Sequence, residues 1–229
     1  MGTNVLNEIL LRATYFKKLD DLYLNNLFTV KSISEKLGIW ESFSPEEKKT
    51  YENLTPLESE LNGNSEVIID TNENNKFGYG EITRDGVESF FEKIKSKKYI
   101  TQDDVFLDIG SGNGKMVLHL SMISEFGEFI GVELQKIRHE YSKHILKDIN
   151  NVNVKFINDN IRNFDLSKVT VIFMNDVLFE KEDIDWVFDN IKSGTHIISF
   201  EQNDYRALDE VFLKMSWRHL PVKFNYYIK

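Results

Sequence analysis

The sequence contains no cysteine. That excludes disulfides, thiolate metal sites and a cysteine nucleophile. Proline is nearly absent too, occurring only at Pro45, Pro56 and Pro221, so there is no proline-rich linker. No apolar run approaches the ~20 residues that a membrane-spanning helix needs. No charged-then-apolar leader opens the chain, and the expectation is an intracellular protein, nuclear or cytoplasmic. Basic charge is short: 28 Lys and Arg stand against 37 Asp and Glu, for a net charge of −9. The whole-chain basic footprint of a nucleic-acid binder is therefore missing. One local cluster, Lys93, Lys95, Lys97 and Lys98 before Tyr99, reads as a solvated helix face. The five histidines show no metal-ligand spacing, so no metal site is expected. What remains is 229 residues with 41% hydrophobic and 13% aromatic content, enough for one large α/β domain with a small extension.

The most informative stretch is Val105-Phe-Leu-Asp-Ile-Gly-Ser-Gly-Asn-Gly-Lys115. An apolar run ends in Asp108 and opens into glycines at 110, 112 and 114, and an apolar helical pattern follows from Met116. This is the pattern of a buried parallel strand, a tight turn, and a helix whose N-terminus faces a ligand. Side chains at those glycines would block close approach of the backbone.

Around this turn the chain alternates. Helices are expected at 84–98, 114–124, 135–149, 181–191 and near 205–214. Strands are expected at 104–109, 128–133, 152–156, 169–174, 195–200 and 222–228. Such alternation predicts a mostly parallel sheet with helices on both faces. Residues 1 to about 60 carry helical spacing, with a helix start at Ser44-Pro45-Glu46-Glu47. The Asn-rich stretch 61–76 reads as a loop. The division is a helical segment and loop over 1–76 and an α/β domain over 77–229.

Ligands of such sheets lie beyond the carboxyl ends of the strands. Acids and amides gather there: Asp108, then Glu133 19 residues after Gly114, then Asp159, then Asn175 and Asp176. A carboxylate at 133 suits both hydroxyls of a ribose. The Gly-x-Gly-x-Gly spacing differs from the Gly-x-Gly-x-x-Gly of dinucleotide enzymes, and no Gly-Lys-Ser/Thr ending marks a phosphate loop. Negative Asp108 suits a cationic amino-acid group better than a pyrophosphate.

The Asp-x-Gly-x-Gly-x-Gly pattern resembles motif one of the class I S-adenosylmethionine-dependent methyltransferases, which implies a seven-stranded Rossmann-like sheet. Phe77-Gly-Tyr-Gly-Glu81, 27 residues before Asp108, narrows the likeness. Together with Gly131-Val-Glu133, Asn158-Asp159, Val171-Ile-Phe-Met-Asn-Asp-Val-Leu-Phe179, Ser216-Trp217 and Pro221-Val222, it resembles the disruptor-of-telomeric-silencing family. Those are histone-lysine methyltransferases that lack a SET domain.

That resemblance implies S-adenosyl-L-methionine as cofactor and S-adenosyl-L-homocysteine as product. Tyr79, Gly80, Glu81 and Ile82 would wrap the methionine end. Asp108, Gly110, Ser111, Gly112, Gly114 and Lys115 would form the floor. Glu133 would hold the ribose, and Asp159 with Asn160 the adenine. Asn175 would line the transfer site, with Phe173, Phe179, Trp217 and Phe224 around a lysine side chain. Four positions depart from the family pattern: Lys115 for a glutamine, Asn160 for an aromatic, Asp176 for a second asparagine, and Phe224 for a tyrosine. The implied partner is a basic protein, a histone or nucleosome being the family example, without strong nucleic-acid binding by the chain itself. Two other readings stand beside it: a class I methyltransferase acting on RNA or a small molecule, and a non-catalytic binding module that keeps the fold.

Overall fold

The computed structural model describes residues 17–23, 30–46, 48–49, 80–149, 151–200 and 205–229, with side chains from 33 onward in the second span. The helices are α1 (17–23), α2 (Val30–Lys36), α3 (Arg84–Lys97), α4 (Lys115–Ile123), α5 (Lys136–Ile149) and α6 (Lys181–Asn190). The strands are β1 (Val105–Ile109), β2 (Glu128–Val132), β3 (Val154–Ile157), β4 (Val171–Met174), β5 (His196–Ser199), β6 (Asp209–Leu213) and β7 (Val222–Ile228).

The strands form one seven-stranded sheet in the order β3-β2-β1-β4-β5-β7-β6. The first five are parallel, and β7 runs antiparallel between β5 and β6. Every residue of β4 and β5 is buried, as expected for strands covered on both faces. On one face Phe90 and Ile94 of α3 and Val117 and Leu118 of α4 pack with Phe106, Phe129 and Phe173. On the other, Ile184, Val187 and Phe188 of α6 pack with Leu107, Ile130, Ile172 and Ile197. Phe90 is edge-on to both Phe106 and Phe173, at 5.7 and 5.5 Å. Burying a side chain of this size contributes about 1.5–3 kcal/mol.

Helix α3 starts where the Thr83 side chain accepts a hydrogen bond from the Gly86 N–H. Its buried residues Val87, Phe90 and Ile94 recur at helical spacing. Helix α4 is buried from Lys115 to Leu120. Its polar side chains Lys115 and His119 stand one turn apart, so they share a face.

The described part of the N-terminal segment joins the same core. Leu19 and Leu22 of α1 are buried in the cluster that holds α3 and α4. Asp20 accepts from Arg84 at 2.8 Å, and Lys18 donates to the Ile149 carbonyl at 3.1 Å. The Tyr23 hydroxyl meets His119 Nδ1 at 2.8 Å. Ile33 of α2 packs with Ile137 and Tyr141 of α5. The helix start after Ser44 is present: residues 45, 46, 48 and 49 are helical, and the Lys48 N–H donates to the Ser44 carbonyl. The expected loop at 61–76 lies outside the described residues, as does Tyr79.

One expectation is corrected. The helix placed near 205–214 is strand β6, paired antiparallel with β7. Val211 and Leu213 point inward while Glu210 and Phe212 are exposed. That is period-two alternation, and β6 covers the edge that β7 would otherwise leave open. The lysine cluster is spoken for: Lys93 and Lys97 share Asp209, Lys95 meets Glu92, and Lys98 meets Asp104. The two lysines hold the Asp209 carboxyl well below the usual carboxylate range.

Burial, with the Arg84 charge adding, lowers the His119 pKa from 6.5 to about 4. The unfolded chain then takes up this proton near pH 6.5 and the folded chain only near pH 4. Stability therefore falls as pH drops through that window and levels off below it. The full loss is about 3 kcal/mol. Urea titrations at pH 7.5 and 4.5 are expected to show His119→Gln losing about 2–3 kcal/mol less than the parent between the two pH values; equal losses contradict a buried neutral imidazole.

Candidate active site

Strand order reverses between β1 and β4, which leaves a crevice at their carboxyl ends. Asp108 is paired in register with Phe173, and Ile109 with Met174. The residues just beyond, Gly110 and Asn175, therefore flank the crevice. A cleft with about 350 Å³ of empty space lies there, lined by Gly80, Glu81, Asp108, Lys115, Phe173 and Asn175 among others.

The glycine turn builds its floor. Gly110, Gly112 and Gly114 all have positive φ, at 76°, 53° and 81°, a region costly for side-chain-bearing residues. A Cβ on Gly110 would also lie 2.9 Å from Phe179 Cζ. The turn is tied down by Gly110 and Ser111 N–H groups that donate to the Val132 carbonyl.

Charge in the cleft is lopsided. Asp108 is buried, and burial first, then the Glu133 charge, raises its carboxyl well above the usual range. Glu81 is buried as well and is paired with Lys115 through Oε2. Asn113 Nδ2 donates to Glu81 Oε1 at 3.4 Å. Lys115 is the one cation lining the cleft among the described residues.

Glu133 ends β2. Its Oε2 accepts from the Gly112 N–H and its Oε1 from the Gln135 N–H, both at 2.8 Å. These bonds fix the carboxylate beside the turn. Asp159 and Asn160 are engaged locally: Asp159 Oδ1 accepts from the Asn160 N–H and Asn163 Nδ2, and Asn160 Oδ1 caps the next turn through the Arg162 N–H. Beside Glu133, Leu134 is 65% exposed and its carbonyl accepts from Asn158.

At the other end of the crevice, Asn175 Oδ1 is buried with no hydrogen-bonding partner among the described residues, and Ser111 Oγ shares that condition. An unmet buried polar atom costs about 1–3 kcal/mol, so both atoms fit a site that a polar ligand completes. Asp176 is fully buried: it accepts from Ser199 Oγ and the Phe200 N–H, each at 2.7 Å. Those bonds fix the turn that carries Asn175 to the end of β5. Phe173 packs against Phe224, Phe224 against Phe200, and Phe200 against Trp217. Phe173 lines the cleft, whereas Phe224 is fully buried behind it.

Two distant segments close the site. The Glu81 N–H donates to Ser216 Oγ at 2.9 Å, and the Ser216 N–H donates to the Glu81 carbonyl at 2.7 Å. Ile82 bridges Met215, and the Thr83 N–H donates to the Lys214 carbonyl. Residues 81–83 thus run antiparallel beside 214–216, joined by one bridge. The Trp217 ring occupies the space beside Gly80, where a Cβ would lie 2.0 Å from Cδ1.

Of the sequence candidates, the structure brings together Gly80, Glu81, Ile82, Asp108, Gly110, Ser111, Lys115 and Asn175 around one cleft. Glu133 holds its turn from beside it, and Asp159 and Asn160 lie beyond the end of β3. Met116, Met215 and Asn113 belong to the site and went unread. The methionines carry no polar signature, and Asn113 lies inside the glycine pattern where it passes for turn chemistry. Phe200 was read only as strand, because it continues an apolar run.

Gly80→Ala is expected to expel the Trp217 ring. Denaturant titration should show a loss of about 1–3 kcal/mol, with a shift in tryptophan emission. Unchanged stability and emission contradict the close packing.

The residues also match known proteins. A model of the family described as "Histone methylation protein DOT1" matches residues 63–208, more than half of the chain. No curated protein matches. Among solved structures, an RNA methyltransferase from Salinibacter ruber in complex with S-adenosyl-L-homocysteine is similar, with a TM-score of 0.52 and 17% identity over 64% of this chain and 91% of that one. A precorrin-6y C5,15-methyltransferase from Geobacter metallireducens gives a TM-score of 0.51 and 16% identity over 63% and 87%. At such identities the two structures speak for the fold, a class I Rossmann-like methyltransferase sheet. The strand order, the glycine turn and the matched region together make this chain a member of the DOT1 histone-methylation family, an S-adenosylmethionine-dependent methyltransferase.

Proposed function

We propose that the chain is a protein-lysine N-methyltransferase acting on a basic protein, with a histone as the first substrate to test. The observation that carries this reading is Asn175, whose buried amide oxygen lacks a partner among the described residues, between the acidic floor of the cleft and an aromatic wall. Family membership supports it. The catalytic unit is assigned to 77–229, with 1–76 as its brace.

In this reading the bound cofactor supplies an electrophilic methyl group on a sulfonium. Asp108 would receive the ammonium of its amino-acid end and Lys115 the carboxylate. Residues 80–82 would cover that end, and Glu133 would take the ribose hydroxyls. Leu134, exposed beside Glu133, offers an apolar surface to the base.

The chain's task at the other end is to present a neutral amine. A free lysine has a pKa of about 10.4, so deprotonation at pH 7 costs about 5 kcal/mol. Phe173, backed by Phe224, and the nearby Trp217 and Phe179 exclude water and disfavour the charged form. Asn175 Oδ1 accepts a hydrogen bond from the amine and aims its lone pair along the line of displacement. The proton leaves to solvent before transfer. When bound, the cofactor would supply the methyl group to that neutral nitrogen and leave as a thioether that keeps the carbon–sulfur electron pair. No dedicated general base is required.

The acidic chain argues against RNA as substrate, as does its neutralised lysine cluster. For the same reason the chain has no described basic arm for nucleosomal DNA, and free histone is expected to be methylated at least as well as assembled nucleosomes.

Incubation with labelled cofactor should place label on lysine of a basic protein. Label on RNA or a small molecule alone, or on nothing, overturns the substrate assignment. Asn175→Ala is expected to lower turnover by roughly a hundredfold while S-adenosylhomocysteine affinity, read by calorimetry, changes less than about twofold. Glu133→Ala is expected to lower that affinity by about 10–100-fold, the loss of charge-assisted hydrogen bonds. Equal losses of binding and turnover in Asn175→Ala contradict its assigned role.

A further inference from the structure

The family match begins at residue 63, yet a side chain forty residues earlier approaches Lys115, which lines the cleft. Tyr23, on α1, stands with its ring toward the Lys115 ammonium, 5.8 Å from centroid to Nζ. Its hydroxyl meets His119 Nδ1 at 2.8 Å, and the two rings are edge-on at 5.5 Å. His119 lies one helical turn beyond Lys115 on α4 and is fully buried. Its neutral ring keeps the Tyr23 bond across the physiological range. The Lys115 ammonium is therefore held between the Glu81 carboxylate on one side and an aromatic face on the other. A long lysine chain in a buried site needs such walls to hold one position, since its four-carbon stem has many rotamers. A desolvated cation over a ring is also well stabilised.

Helix α1 is independently fastened. Asp20 meets Arg84 at the start of α3, Lys18 meets the last carbonyl of α5, and Leu19 and Leu22 enter the core. The anchors span the two helices on either side of α4. They place Tyr23 relative to the sheet rather than relative to a loose tail.

We propose that α1 is a working part of the cofactor site, with Tyr23 a positioning residue that holds Lys115 where its ammonium meets the carboxylate of the cofactor's amino-acid end. The proposal rests on the assignment of Lys115 to that end. It predicts a selective effect. Among the described residues, the polar and ring contacts of Tyr23 are with His119 and Lys115 and not with residues assigned to the nucleoside, so its loss should penalise only ligands that carry the amino-acid part. Binding of those ligands also tightens α1 through Lys115.

Two probes separate this from a merely structural role: S-adenosylhomocysteine, and 5′-methylthioadenosine, the same nucleoside thioether without the amino-acid part. Calorimetry on the full chain is expected to show Tyr23→Leu weakening S-adenosylhomocysteine about tenfold and methylthioadenosine less than twofold. Tyr23→Phe, which keeps the ring and loses the hydroxyl, falls between parent and Tyr23→Leu. Hydrogen exchange on the parent needs no variant: amide protection over 17–23 should rise with S-adenosylhomocysteine and stay level with methylthioadenosine. Equal weakening of both ligands, or unchanged binding of S-adenosylhomocysteine, overturns the proposal. So does protection that fails to distinguish the probes. A parent that binds methylthioadenosine but gains nothing from the amino-acid part overturns the role of Lys115 alone, and a parent that binds neither probe overturns the cofactor assignment beneath it.

Discussion

Three buried carboxylates, Asp108, Glu133 and Glu81, gather around the glycine turn at one end of this molecule. Lys115, the one cation lining the cleft among the described residues, pairs with Glu81. Burying like charges this close is unfavourable, as the raised Asp108 carboxyl records. A protein keeps such an arrangement when a cation completes it. In the proposed reading, an adenosyl sulfonium with an amino-acid tail, which carries net positive charge, would match the cleft's excess negative charge. Burial that disfavours the empty site would then add to binding.

The backbone holds that charge in place by connecting segments far apart in sequence. Glu133 bonds the Gly112 and Gln135 N–H groups, which locks the end of β2 to the turn after β1. Ser216 bonds Glu81 twice, which lays residues 81–83 along 214–216 and brings Trp217 over Gly80. Asp176 ties the turn bearing Asn175 to the end of β5. Each connection fastens one wall of the cleft to the rigid sheet. The helix before the family-matched region adds a fourth, through Tyr23 and His119.

Much of this was legible in the residues. The apolar run into Asp108, the alternating glycines and the buried helix after them specify a strand, turn and helix by local chemistry alone. The alternation that follows gives the parallel sheet, and strand ends give Glu133 and Asn175. The stretch 205–214 was misread, because a short run with apolar residues at 208, 211, 212 and 213 satisfies helical and strand periods alike. Its partner β7 decides the matter, and pairing is a long-range fact. Asp176 looked like a substituted amide beside Asn175, but its role is a buried brace that only its partners reveal. The Ser216–Glu81 splice joins groups 135 residues apart. A hydroxyl bonded to backbone leaves no spacing to read. Tyr23 and His119 carry no sequence signal for the same reason: their contact joins residues 96 positions apart.

Four positions depart from the pattern that the sequence resemblance implies, and each is held by contacts within the fold. Lys115 brings a cation, and the fold pairs it with Glu81. Asn160 caps a turn. Phe224 packs behind Phe173 and Phe200 rather than lining the cleft. Asp176 strengthens the brace under Asn175. All four are accommodated by specific contacts, so the departures leave the crevice intact. The most direct test of the cofactor cleft is a crystal structure with S-adenosylhomocysteine. The account predicts the ribose on Glu133, the amino-acid end between Asp108 and Lys115, and the sulfur facing Asn175. A cleft that stays empty at saturating ligand, or a ligand lodged away from residues 108–115, contradicts it.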